Sequence, residues 1–342
     1  MILLEDKQGS QEDTMKEYTV SSLQVDEELT DFFMVKAIGI KVGSNRKNYL
    51  DMTLGDSTGE INGKKWDISD EEIPSINKIK EGDIIKVKAS VNEWNGIKQL
   101  RVTRIRKAGP QDDLYMPDYV KAAPEDPKEM YDYILGRANA IKDEGLRKLA
   151  VSALEENHER LLYYPGAMRN HHAELGGLLY HIRRMLTMGL KACQVYTGLD
   201  KDWVVCGVIM HDMEKLNELK SNELGISSGY SVKGNMLGHL VMGAIELKER
   251  AEKAGLSEEK TVMLQHMIIS HHYEPEFGSP IKPLFPEAEL LHYLDMLDAK
   301  MFDFEAALEN AEPGTFTERV RTLDGRMLYS PTFERLNTEE KK

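Results

Sequence analysis

Apolar and polar residues alternate along the first third of the chain, and then the period changes. Phe32 to Gly39 and Tyr49 to Leu54 alternate as strands, separated by a turn-rich stretch from Gly43 to Asn48. Asp56-Ser-Thr-Gly59 predicts a turn, Glu60 to Trp66 a third strand, Asp83 to Val91 a fourth, Asn95-Gly96 a hairpin turn, and Lys98 to Ile105 a fifth. A longer connection, Asp67 to Lys80, follows the third strand. From Lys128 the apolar positions recur at three and four, as in Tyr131, Ile134, Leu135 and Ala138, and again in Leu146, Leu149, Ala150 and Ala153. Between the two regimes, Gly109 to Pro127 is rich in proline, which breaks regular structure. The pattern predicts a small all-β barrel over 18–108, a Pro-rich linker over 109–127 and an all-α domain over 128–332. Residues 1–17 read as a polar, acidic extension and 333–342 as a charged tail.

A chain of 342 residues suits two domains, each able to bury a core. No apolar run approaches the roughly 18 residues of a membrane span. The start, Met1-Ile-Leu-Leu before Glu5 and Asp6, lacks the features of a secretory signal, so a cytoplasmic protein with no membrane partner is expected. Cys193 and Cys206 sit in apolar helical surroundings, which predicts buried thiols rather than a disulfide or zinc knuckle.

The net charge of −14 is unevenly spread. Met34 to Lys107 holds 15 Lys and Arg against 10 Asp and Glu, so this segment carries +5 and the remainder −19. Five short strands with one longer connection match an OB-fold, a barrel that binds single strands by stacking bases on aromatics in a basic groove. The candidates are Tyr49, Trp66 and Trp94 with Lys64, Lys65, Lys98 and Arg101. Trp66 is expected to be partly buried and Trp94, beside the Asn-Gly turn, exposed.

The helical half carries a second pattern. Gly176-Gly177-Leu-Leu-Tyr leads to His181; the apolar run Trp203 to Met210 ends in His211-Asp212; Gly238-His239 precedes another apolar run. Val262 to Ser270 ends in His271-His272, and Leu290 to Leu297 carries Asp295, with Asp298 on a neighbouring position of one face. Burying a carboxylate and imidazoles together without compensation costs several kcal/mol, and a metal ion satisfies both. His158, His266 and His292 have no carboxylate at ligand spacing and are expected to be ordinary hydrogen-bonded histidines.

This order of residues resembles the HD superfamily of metal-dependent phosphohydrolases, whose signature is a His, a later His-Asp doublet and a distant Asp. The joining of barrel and helical domain is more similar still to the YhaM-type 3′-to-5′ exoribonucleases. Matching stretches are Tyr49 to Trp66, His171-His172 with Gly176 to His181, His211 to Lys215, Leu237 to His239, Ser270 to His272, Phe277 to Pro280, and Glu287 to Met301. Two positions depart: Glu214 stands where the doublet continues with a small residue, and Tyr273 where Gly follows the double histidine.

The resemblance implies an HD-type phosphohydrolase domain over 128–332 and 3′-to-5′ hydrolysis of single-stranded RNA, with single-stranded DNA left open. It further implies one divalent ion on His181, His211, Asp212 and Asp295, and a second on Asp212, His239, His271 and His272. Two such ions activate water and neutralise charge on phosphoryl oxygens, so no protein nucleophile is needed. Imidazole and carboxylate ligands suit Mn²⁺ first, with Fe²⁺, Ni²⁺ or Zn²⁺ as alternatives. Lys215 is expected to touch the substrate phosphate, and His172, or less favourably His171, to meet it from the opposite side. Asp298 is expected to support a ligand or cap a helix. A homo-oligomer is expected to serve a nuclease of this kind. Two other readings stay open: an HD enzyme acting on a small nucleotide, such as a cyclic dinucleotide, nucleoside triphosphate or alarmone, and a nucleic-acid-binding protein with a structural HD domain.

Overall fold

The computed structural model describes residues 16–333, except 44–45, 70, 95, 110, 113, 169–171, 223–224 and 310. The chain divides into two compact units, Met1–Ala122 and Ala123–Lys342.

The first unit is a closed barrel of β1 (Glu28–Val42), β2 (Asn48–Asp56), β3 (Gly59–Lys65), β4 (Ile84–Trp94) and β5 (Ile97–Lys107), in the order β1-β2-β3-β5-β4. A short helix, α1 (Ile73–Ile76), lies between β3 and β4. The first strand is longer than its alternation predicts because it serves two partners. Residues 28–34 pair with β4 and residues 34–42 with β2, with a bulge between Val35 and Ala37 that bends the strand around the barrel. A parallel β3–β5 pairing closes the ring. Inward positions of all five strands, among them Phe33, Leu50, Leu54, Ile85, Val87 and Leu100, form one buried core. Asn95 of the expected hairpin turn lies outside the described residues, while Gly96 supplies the positive φ of 77°.

Lys16, which composition places in the N-terminal extension, is buried against the barrel. Its ammonium lies 3.0 Å from Asp56 Oδ2 and 3.5 Å from the centre of the Phe33 ring. Part of the Pro-rich stretch also packs on the barrel: Tyr119 is buried, and the Ser57 N–H donates to the Asp118 carbonyl at 2.9 Å.

The second unit is helical, with α2 (Pro127–Asn139), α3 (Glu144–Glu156), α4 (His158–Leu161), α5 (Gly177–Val195), α6 (Lys201–Met210), α7 (Lys215–Glu218), α8 (Val232–Ala254), α9 (Glu258–Ser270) and α10 (Pro286–Leu308). Side chains of Asp126, Asp143, Asp200, Ser231 and Ser257 accept the orphan N–H groups that open α2, α3, α6, α8 and α9. Apolar α6, buried from Val204 to Met210, sits among α3, α5, α9 and α10 and anchors the core. One departure from the all-α expectation is a small hairpin, β6 (Leu219–Ser221) with β7 (Ser227–Tyr230). Cys206 is buried and Cys193 partly so, both as free thiols. Among the described residues no helix is long and apolar enough to cross a membrane.

Candidate metal centre and nucleic-acid interface

Burying α6 carries the doublet at its C-terminus into the interior: His211 is 0% and Asp212 1% exposed. Four other segments bring imidazoles or carboxylates to the same place. His181 comes from the second turn of α5, His239 from α8, His271 and His272 from the end of α9, and Asp295 from the middle of α10.

His211 Nδ1 donates to the Val208 carbonyl at 2.8 Å and His271 Nδ1 to that of Ile268 at 2.7 Å. His272 Nδ1 donates to the Phe277 carbonyl at 2.8 Å, His181 Nδ1 to Asp298 Oδ2 at 2.8 Å, and His239 Nδ1 to Glu218 Oε1 at 3.1 Å. Carbonyl and carboxylate oxygens only accept, so each ring is held as the tautomer whose Nε2 lone pair faces the centre.

Those lone pairs face further acceptors. His181 Nε2 lies 3.3 Å from His211 Nε2, 3.3 Å from Asp295 Oδ1 and 3.7 Å from Asp212 Oδ2. Asp212 Oδ1 lies 3.4 Å from His239 Nε2 and 3.9 Å from His271 Nε2, and these three atoms are buried without a hydrogen-bond partner. Converging acceptors in a buried site favour a cation, and the mixed imidazole and carboxylate donors could hold a divalent metal ion. Ligand atoms of His181, His211 and Asp212 lie within 4.8 Å of one another, as do those of His239, His271 and His272. With no cation bound, burial works against charging His181, but Asp295 and Asp298 outweigh it and lift its pKa to about 9, so a proton at Nε2 stands where a bound ion would otherwise take the lone pair.

Lys215 places its ammonium 2.7 Å from Asp212 Oδ2. Burial disfavours that charge, and Asp212 with Asp295 more than restores it, so the Lys215 pKa is raised. His172 corrects the expectation that it meets substrate. It is 1% exposed, lies against Phe302, and donates from Nε2 to Asp298 Oδ2 at 2.6 Å. A left-handed backbone, φ 57°, folds it beneath the start of α5, where a Cβ on Gly177 would come 2.1 Å from the His172 carbonyl. Its neighbour His171 lies outside the described residues. The cluster His172, His181 and Asp298 is thus held together by hydrogen bonds, with Arg184 Nε 2.6 Å from Asp298 Oδ1.

Glu218 and Arg184 were not singled out by sequence. Arg184 follows His181 by three residues, a spacing that puts both on one helix face, and that signal could have found it. Glu218 had no such signal: it reaches His239 because the β6–β7 hairpin turns the chain back. His292 is also tied to the site, donating from Nδ1 to the His271 carbonyl at 2.8 Å.

On the barrel, Trp66 is 46% exposed and stacks on Tyr49 with ring centres 4.6 Å apart; Trp94 is 68% exposed. The Lys64 ammonium is 6.0 Å from the Trp66 ring, and Lys64 stands opposite Arg101 across β3–β5. Lys65 departs from its expected role: strand alternation turns it inward, and it is spent on Glu72 at 2.8 Å. Lys98 donates to the Leu23 carbonyl at 2.5 Å.

Residues 34–108 match the model of an OB-fold nucleic acid binding domain, and residues 178–300 that of an HD domain. The 3′-5′ exoribonuclease YhaM of Bacillus licheniformis is 34% identical over 312 residues, covering 91% of this chain and 98% of that protein. The protein of the same name from Bacillus subtilis is 35% identical over 314 residues, with coverage of 91% and 98%. That from Geobacillus sp. is 34% identical over 322 residues, with coverage of 93% and 96%. With identity at that level along nearly the full length of each pair, the chain belongs to the YhaM family of 3′-5′ exoribonucleases.

Proposed function

We propose that the helical domain hydrolyses single-stranded RNA from its 3′ end with two divalent ions, and that the barrel grips the strand. The observation that carries the reading is the set of five imidazoles, each tied at Nδ1, of which His181, His211, His239 and His271 bring Nε2 to within 3.2–3.9 Å of an Asp212 or Asp295 oxygen. His181, His211, Asp212 and Asp295 would hold one ion, and His239, His271 and His272 the other, with Asp212 between them. Such ions, Mn²⁺ in the first place, supply activated water and charge neutralisation at phosphorus. The chain's own groups do the rest. Asp298 and Glu218 hold ligand rings in orientation. Lys215, whose ammonium lies 2.7 Å from Asp212 Oδ2, would pair with a phosphate oxygen of the substrate. Stacking of a base on the Tyr49–Trp66 pair and contacts of Lys64, Arg101 and Trp94 would raise the local concentration of substrate. The same proposal places the enzyme in the cytoplasm as a homo-oligomer.

The test is incubation of 5′-labelled single-stranded RNA with the protein and Mn²⁺, beside Asp212→Ala and an EDTA control. A ladder shortening from the 3′ end, absent from both controls, is the expected result. Intact RNA in every lane with metal confirmed bound would refute the reading, and the same ladder on single-stranded DNA would widen the substrate class.

A further inference from the structure

The barrel carries more positive charge than its aromatic site uses. Strand register places Arg101 of β5 opposite Lys64 on one side and Ser90 of β4 on the other. Further along the same pair, Lys88 stands directly opposite Arg104 and Lys86 opposite Arg106. A bulge sets this spacing, with Thr103 as the extra residue and its hydroxyl donating to the Lys88 carbonyl at 3.0 Å.

Like charges directly across a ladder destabilise a sheet, so their placement needs a reason. Arg106 is clamped by Asp112. Lys88, Arg101 and Arg104 are exposed and form no ion pair among the described residues. In a protein of net charge −14 they make a band of cations running from Lys64 at the end of β3, beside Trp66, across β5, onto β4. A sheet face that joins an aromatic platform to unpaired cations fits the alternating bases and phosphates of one continuous strand.

We infer that the outer face of β4–β5, centred on Lys88 and Arg104, is a second nucleic-acid site that holds the phosphate backbone of a strand already stacked at Trp66. This rests on the proposed action on single-stranded RNA and extends it to how long strands are held. The ligand class is a polyanion of regular charge spacing, and base identity plays no part.

The test is fluorescence anisotropy in EDTA with the full chain and two RNAs, of about 5 and about 20 nucleotides, one near the lower limit of an OB-fold site and one beyond its upper limit. A Lys88→Gln, Arg104→Gln double variant should bind the short RNA as wild type does and the long RNA about tenfold more weakly. Its salt dependence on long RNA should be shallower by about 1.4, since each single-strand phosphate contact contributes about 0.7 to the slope. The swap Lys88→Arg, Arg104→Lys should restore the long-RNA affinity, which separates charge from fold. Trp66→Ala should weaken both RNAs.

Unchanged long-RNA affinity and slope in the Gln variant would overturn the inference, as would equal loss on both RNAs. Loss of binding to anionic vesicles with RNA binding intact would overturn it in favour of a membrane surface. If the wild type trims RNA yet the variants behave alike, only this site fails; if the wild type neither binds nor trims RNA, the proposed function fails with it.

Discussion

Asp298 ties the interior of the helical domain together through three partners, His172, His181 and Arg184. Burial raises the Asp298 pKa, but the hydrogen bonds from His172 and His181 outweigh it and hold the carboxyl well below the usual range. A depressed carboxylate contributes stability that is complete above its unfolded pKa, about 3.9, and is lost as pH falls through the folded value. Asp298→Asn should therefore cost about 3 kcal/mol at neutral pH, because it removes the buried charge that faces His172 and His181, while Arg184 keeps its pair with Glu305 at 3.0 Å. Urea melts across pH should show the gap to wild type full at pH 5 and narrowing below about pH 4. A gap independent of pH would assign the loss to packing instead.

Tyr273 is a second residue whose backbone explains its setting. It adopts φ 68°, the left-handed region that costs a side-chain-bearing residue about 1 to 2 kcal/mol and glycine almost nothing. That is a physical reason for glycine after a double histidine. Here the tyrosine recovers part of the cost, stacking on His292 with centres 4.7 Å apart while the Lys282 ammonium sits 4.3 Å from its ring. Tyr273→Ala keeps the strain and loses both ring contacts, whereas Tyr273→Gly loses the contacts and the strain together. Equilibrium melts should place the Ala variant below the Gly variant by about 1 kcal/mol; the reverse order would show that the backbone strain is not what the ring contacts offset.

At the scale of elements, α8 is two helices joined at Gly238, whose φ of 69° and ψ of 160° lie in a region that only glycine enters readily. The break turns the His239 N–H back onto Glu218 Oε1 at 3.0 Å, so the same carboxylate fixes both backbone and ring of this candidate ligand. A Cβ at Gly238 has room, with Glu218 Oε1 3.8 Å away, so Gly238→Ala should act through the backbone alone. A loss of about 1 to 3 kcal/mol is expected, together with weaker retention of divalent ion measured by calorimetric titration. Normal metal retention in the variant would detach Gly238 from the site.

Which elements the sequence reveals follows from where side-chain pattern alone decides structure. The barrel strands were legible because burial of one face imposes period two, and apolar α6 because a helix buried on all sides is apolar on all sides. The candidate ligands stand out because each ends or interrupts such a run. The β6–β7 hairpin was not: its Ser and Gly residues carry no strand pattern, and it forms by pairing Leu219 with Tyr230. His172 was misplaced for a related reason, since its inward turn depends on one backbone angle and on close approach to Gly177, neither of which is written in residue type.

At the scale of the molecule, the buried cores of the two units share no residue: one draws on Leu23 to Val102 and the other on Met130 to Leu294. Among the described residues, the His and Asp clusters that could hold an ion all belong to the second. A divalent ion that binds only the folded helical domain stabilises it by mass action, about 2.7 kcal/mol at a free concentration one hundred times Kd. The barrel gains nothing directly from that ion. Scanning calorimetry of the full chain should therefore resolve two transitions, and chelation should lower one by several degrees and leave the other in place. Asp212→Ala should reproduce the lowered transition without chelator and make it insensitive to added Mn²⁺. One transition that moves as a whole on chelation would mean that barrel and helical domain unfold as a single cooperative unit, with metal binding stabilising the grip on RNA as well as the site that cuts it.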